Sequence, residues 1–134
     1  MPTWLRYLIA FVVFCHGFIY LRIGPTIAVT LKEWKGTSWL LGGAVTPGQL
    51  KTLITGFNLI AGLVTLACAA AIAFAPSLPG WWRPLAFGSA VAGLIAFLVF
   101  WDGQTKLLFE EGAIGAIVSL VLFVVALAWP QAFG

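Results

Sequence analysis

Apolar positions dominate this chain in four long runs, at roughly 4–21, 50–75, 85–101 and 112–129, and charged positions fall almost entirely between them. From Leu50 onward the charged residues are Lys51, Arg83, Asp102, Lys106, Glu110 and Glu111, all at run ends or in connections. Each run, with its flanks, approaches the roughly 20 helical residues that cross a hydrocarbon layer about 30 Å thick. The pattern therefore predicts an all-α protein: an integral membrane four-helix bundle with a long first connection containing a short interfacial helix. A single transmembrane domain over 1–134 is expected, with spans at approximately 3–23, 47–75, 84–101 and 108–129.

Local signals set the expected ends. Gly24 and Pro25 predict the end of helix 1, because glycine suits a left-handed terminal position and proline forbids continuation. Between 24 and 45, Ile27, Leu31 and Trp34 recur at helical spacing beside Lys32, Glu33 and Lys35, the pattern of a helix lying on the membrane surface. Trp39 to Leu41 then read as an interfacial loop rather than a re-entrant segment, turned by Gly42 and Gly43. Thr46, Pro47 and Gln49 form a capping-box start for helix 2, which runs on for about 29 residues before Pro76. Small residues at helical spacing (Ala61, Thr65, Ala69 and Ala73; Gly88, Ala92 and Ala96; Gly112, Ala116 and Ser119) predict the surfaces along which the helices pack.

Composition agrees with this picture and narrows the chemistry. The chain of 134 residues is 62% hydrophobic and 8% charged, against about 25% charged for a soluble domain. Seven scattered basic residues and a net charge of +3 make no basic stripe, so nucleic acid is not an expected partner. Cys15 and Cys68 both lie within apolar runs and read as small hydrophobes. One histidine and two separated thiols make no metal set, and two axial histidines for a haem are lacking. No nucleophilic triad or phosphate loop is legible. No acidic residue lies well inside a span, which argues against proton-coupled export.

Topology sorts the remaining polar groups onto two faces. The chain ends and the helix 2–3 connection share Arg6, Arg83, Trp4, Trp81, Trp82 and Trp129, an aromatic belt with cations. The opposite face gathers the candidate ligand-binding residues His16, Arg22, Asn58, Trp101, Asp102, Glu110 and Glu111. His16 lies about 9 Å along the helix axis from Arg22. Ionisable groups at membrane depth face the bundle interior or water, so these residues are expected to converge on one shallow cavity. Each also has a structural role open to it: an interhelical bond for His16 or Asn58, a turn for Asp102, a helix dipole for Glu110 and Glu111.

The segments FCHGFIY at 14–20, WWRPLAFG at 81–88 and WDG…EEGAIG at 101–115 resemble the DoxX-like group of small four-helix bacterial membrane proteins. The resemblance implies a bacterial inner (plasma) membrane and, through His16 and Gly17, a redox-associated role with a quinone as ligand. A lysine that often follows the His-Gly pair in that group is replaced here by the Ile19–Tyr20 region. Two functions follow as expectations. One is a non-catalytic accessory subunit held by membrane lipids and other membrane protein subunits. The other is a protein binding a quinone or lipid near His16, Asn58 and Asp102. For orientation, Arg22, Lys32, Lys35, Lys51 and Lys106 outnumber Arg6 and Arg83, placing the long loop in the cytoplasm; the resemblance implies the reverse.

Overall fold

The structure, a computed structural model, describes residues 1–30, 38–100 and 114–133. It contains four helices, α1 (Thr3–Thr30), α2 (Pro47–Ala73), α3 (Trp82–Phe100) and α4 (Ile114–Ala128), and no strand is formed among the described residues. Three stretches are long and apolar enough to cross a membrane: Thr3–Arg22, Pro47–Ala73 and Trp82–Val99. Gly115–Ala128 is apolar but shorter. The chain is a multi-pass helical membrane protein.

Helix α2 begins as its sequence predicts. The Thr46 side chain accepts from the Gln49 amide at 3.2 Å, and the Gln49 side chain accepts from the Thr46 amide at 3.0 Å. These reciprocal bonds satisfy two donors that a helix start leaves orphaned. Ahead of it, Ser38 nucleates a compact turn: its hydroxyl accepts from the Leu40 and Leu41 amides, and its carbonyl from the Gly42 amide. Gly42 sits at φ 55°, where a side chain would be strained. The turn folds Leu41 and Val45 against Leu50, Ile54 and Val99.

Two expectations need correction. Helix α1 does not stop at Gly24 but continues through Pro25 to Thr30. Pro25 offers no N–H to the Leu21 carbonyl, yet helices in this setting tolerate the loss where surrounding groups re-satisfy the backbone. Ile27, expected in a surface helix, therefore belongs to α1; Leu31 and Trp34 lie outside the described residues, as does the expected start of the last span. Trp82 is also not part of the aromatic belt. It is fully buried, with Phe133 edge-on at 4.7 Å between ring centroids, whereas Trp4, Trp81 and Trp129 are exposed. Trp81 lies in the turn before α3 and projects outward, whereas Trp82 opens the helix and is turned into the core.

Small residues bring three of the four seams together. At the α1–α2 seam Gly17 meets Leu66, and Gly62 meets Leu21 and the Gly17 carbonyl. At the α2–α3 seam Thr65 and Ser89 share a buried hydroxyl–hydroxyl bond. Ala86, Ser89, Ala90, Gly93 and Ala96 form the buried stripe of α3; of the expected row Gly88, Ala92 and Ala96, Ala96 is buried and Gly88 faces Val64 of α2. At the α3–α4 seam Phe87 packs edge-on against Phe123, and the Arg83 Nε donates to the Ala126 carbonyl at 3.0 Å. That carbonyl would otherwise be orphaned, because its intrahelical donor would be residue 130, a proline. Breaking the Thr65–Ser89 bond with Thr65→Val is expected to destabilise the bundle by about 0.6 kcal/mol and by no more than about 1.7, measured by reversible unfolding in mixed micelles.

The α1–α4 seam differs. Leu8, Ile9, Val12 and Val13 of α1 face Ile117, Val118, Val121, Leu122 and Val125 of α4 across an apolar cleft of about 460 Å³. Bulky side chains on both sides hold these two backbones apart.

Candidate functional site

His16 and Tyr20 are four residues apart on α1, so they share one face of the helix. Their rings lie 4.5 Å apart, tilted by 58°. Both depend on glycines in neighbouring helices. A Cβ at position 115 would come within 2.9 Å of His16 Cε1. A Cβ at position 93 would overlap the Tyr20 hydroxyl and lie 2.6 Å from the Ser119 hydroxyl. Gly115 on α4 and Gly93 on α3 thus form two notches that receive the polar rings of α1.

Within these notches Tyr20 Oη and Ser119 Oγ share a buried hydrogen bond of 3.2 Å, tying α1 to α4. His16 is satisfied less completely: its Nε2 is buried and has no hydrogen-bond partner among the described residues. An imidazole nitrogen buried without a partner in an apolar interior costs on the order of 1–3 kcal/mol. Such a group calls for a specific explanation.

The candidate residues from the sequence are placed unevenly. His16 lies at the junction of α1 and α4, half-buried. Asn58 is buried on α2, and its side-chain amide donates to the Ile54 carbonyl of its own helix at 2.8 Å. The Thr65–Ser89 bond and the cluster joining Ile54 to Val99 set the α2–α3 register. In that register Asn58 stands near the level of Ala96, about one helical turn from the Gly93 notch. Arg22 is exposed on α1. Trp101, Asp102, Glu110 and Glu111 lie outside the described residues. Among the described residues no group of three or more histidines, cysteines or acids is placed to hold a metal ion.

No family model, curated protein or solved structure matches the chain.

Sequence reasoning missed Tyr20 and Ser119 as members of the site. The signal for Tyr20 was present, since it repeats the position of His16 one helical turn on. Ser119 was legible only as a small packing residue; its role as partner of a tyrosine hydroxyl depends on how α4 is set against α1.

Proposed function

We propose that this multi-pass membrane protein is a binding protein for a lipid-soluble molecule with a hydrogen-bonding group, a quinone or a lipid head group, received at His16. The observation that carries this reading is the buried Nε2 of His16, without a hydrogen-bond partner among the described residues, beside the Tyr20–Ser119 bond. Apolar walls with a few converging polar groups suit such a ligand. A neutral imidazole can accept or donate a hydrogen bond, so it can meet either a carbonyl or a hydroxyl. The DoxX-like resemblance of His16 and Gly17 supports a quinone in particular. The test is to purify the protein in mild detergent and assay co-purifying quinone and lipid by extraction. His16→Ala is expected to abolish ligand retention while helical content is kept; retention equal to that of the unaltered protein would sink the assignment.

The accessory-subunit reading is favoured by a different observation. Trp4, Tyr7, Phe11, Phe14 and Phe18 project from α1 at helical spacing and are all at least half exposed. Beside this ridge runs a groove of about 360 Å³ floored by Leu66, Ala69, Ala70 and Ala73. Small residues flanked by large ones suit the close approach of another membrane helix. Replacing Ala70 and Ala73 by leucine is expected to release the protein from any larger assembly seen on native gels of solubilised membranes. Unchanged migration of the double variant would refute this docking face.

A further inference from the structure

The α1–α4 cleft runs along the bundle from its middle to the end that carries the chain termini. Its lining runs from Val12, Val13, Ile117 and Val118 near the middle of the bundle to a mouth rimmed by the exposed Met1 and Trp129, and includes the buried Ala132 and Phe133. From Ile117 to the end of α4 at Ala128 the helix rises about 17 Å. One leaflet of a hydrocarbon layer about 30 Å thick has nearly this depth. Below the cleft the seam closes where His16 lies over Gly115, so the cleft stands apart from the candidate ligand contact at Nε2.

Among the described residues the side-chain charge at this end is of one sign. Arg6 lies one turn from Ile9, a lining residue, on the same face of α1; its guanidinium stands over the Tyr7 ring at 5.2 Å from the centroid, and its Nε is buried with no hydrogen-bond partner among the described residues. Arg83, whose Nε is committed to the Ala126 carbonyl, adds a second positive charge at the same end of the bundle. All four carboxylate residues of the sequence, Glu33, Asp102, Glu110 and Glu111, lie outside the described residues. Among the described residues no side-chain carboxylate stands beside the arginines at this end.

We infer that the α1–α4 cleft is a binding site for one anionic phospholipid of the bilayer, with an acyl chain lying between α1 and α4 and its phosphate held at Arg6. The wholly apolar lining accepts a hydrocarbon chain and offers a polar ligand nothing. The depth matches a chain that starts at the interface and ends near the midplane. An arginine fork is suited to phosphate oxygens, and the Arg6 Nε has no acceptor among the described residues. Exposed Trp129 at the rim marks the level of the headgroups.

The test offers the delipidated protein equal amounts of phosphatidylglycerol and phosphatidylcholine with identical acyl chains, and counts retained lipid by native mass spectrometry. One phosphatidylglycerol is expected to be kept in preference to phosphatidylcholine by about fivefold for each arginine engaged. Arg6→Gln is expected to cut that preference about fivefold, and Val121→Trp, which fills the cleft, to remove retention of both lipids. Should Arg6→Gln fail to fold, added salt should erode the preference of the unaltered protein, since screening weakens an exposed ionic contact. Equal retention of the two lipids, an unchanged preference in Arg6→Gln or in high salt, or full retention in Val121→Trp would each overturn the inference.

Discussion

Gly62→Val is expected to unseat α1 from α2 and to destabilise the protein by about 3 kcal/mol. A Cβ at position 62 would lie 2.6 Å from Leu21 Cδ2, 2.9 Å from Leu21 Cγ and 3.0 Å from the Gly17 carbonyl oxygen. The leucine end can swing aside, but the carbonyl belongs to the α1 backbone and moves only with the helix. Gly17 meets the same constraint from the other side, since a Cβ there would sit 3.1 Å from the Leu66 amide nitrogen. Removing a helical glycine gains at most about 1 kcal/mol of propensity, so overpacking by a β-branched side chain wins. Equilibrium unfolding in mixed micelles measures the loss; a variant as stable as the parent would show that the two backbones are not in close contact.

Gly93→Ala is expected to cost about 2 kcal/mol by the same physics, and here the consequence reaches the candidate site. The new methyl would occupy the space of the Tyr20 hydroxyl and crowd Ser119. Tyr20 must then retreat, breaking the only hydrogen bond it makes across the bundle among the described residues. Removing that hydroxyl with Tyr20→Phe should recover part of the loss, because the clash disappears with it. Residues in direct contact couple by about 0.5–3 kcal/mol, so a double-mutant cycle is the measurement. Additive effects of Gly93→Ala and Tyr20→Phe would show that the notch does not hold this ring.

Much of the fold was legible because its signals are local. Thr46, Pro47 and Gln49 mark a helix start through bonds among neighbours, and the structure forms them as the pattern requires. The apolar runs mark spans because lipid admits little else. Pro25 misled because a proline rule calibrated in water weakens inside a membrane bundle. Trp82 misled because an indole near the interface is explained equally well by lipid and by a buried partner, and only the return of Phe133 to that end decides for burial.

The site was less legible. His16 stands out in a sequence with one histidine, but its surroundings depend on glycines at positions 93 and 115 in two other helices. A glycine in an apolar run carries no mark of which side chain it makes room for. Asn58, polar at depth, was open to a ligand contact or to an interhelical bond; its side-chain amide donates to the Ile54 carbonyl of its own helix.

The three tightly packed seams join helices that follow one another in the chain, α1 to α2, α2 to α3 and α3 to α4. Each span can therefore dock on its predecessor as soon as synthesis delivers it to the bilayer, with no need to wait for a distant segment. The last contact to form, α4 against α1, is close only where Gly115 and Ser119 meet His16 and Tyr20 and is open along the cleft, so ring closure places its demand on that one junction. Biogenesis of this protein can proceed as a growing stack of helical hairpins.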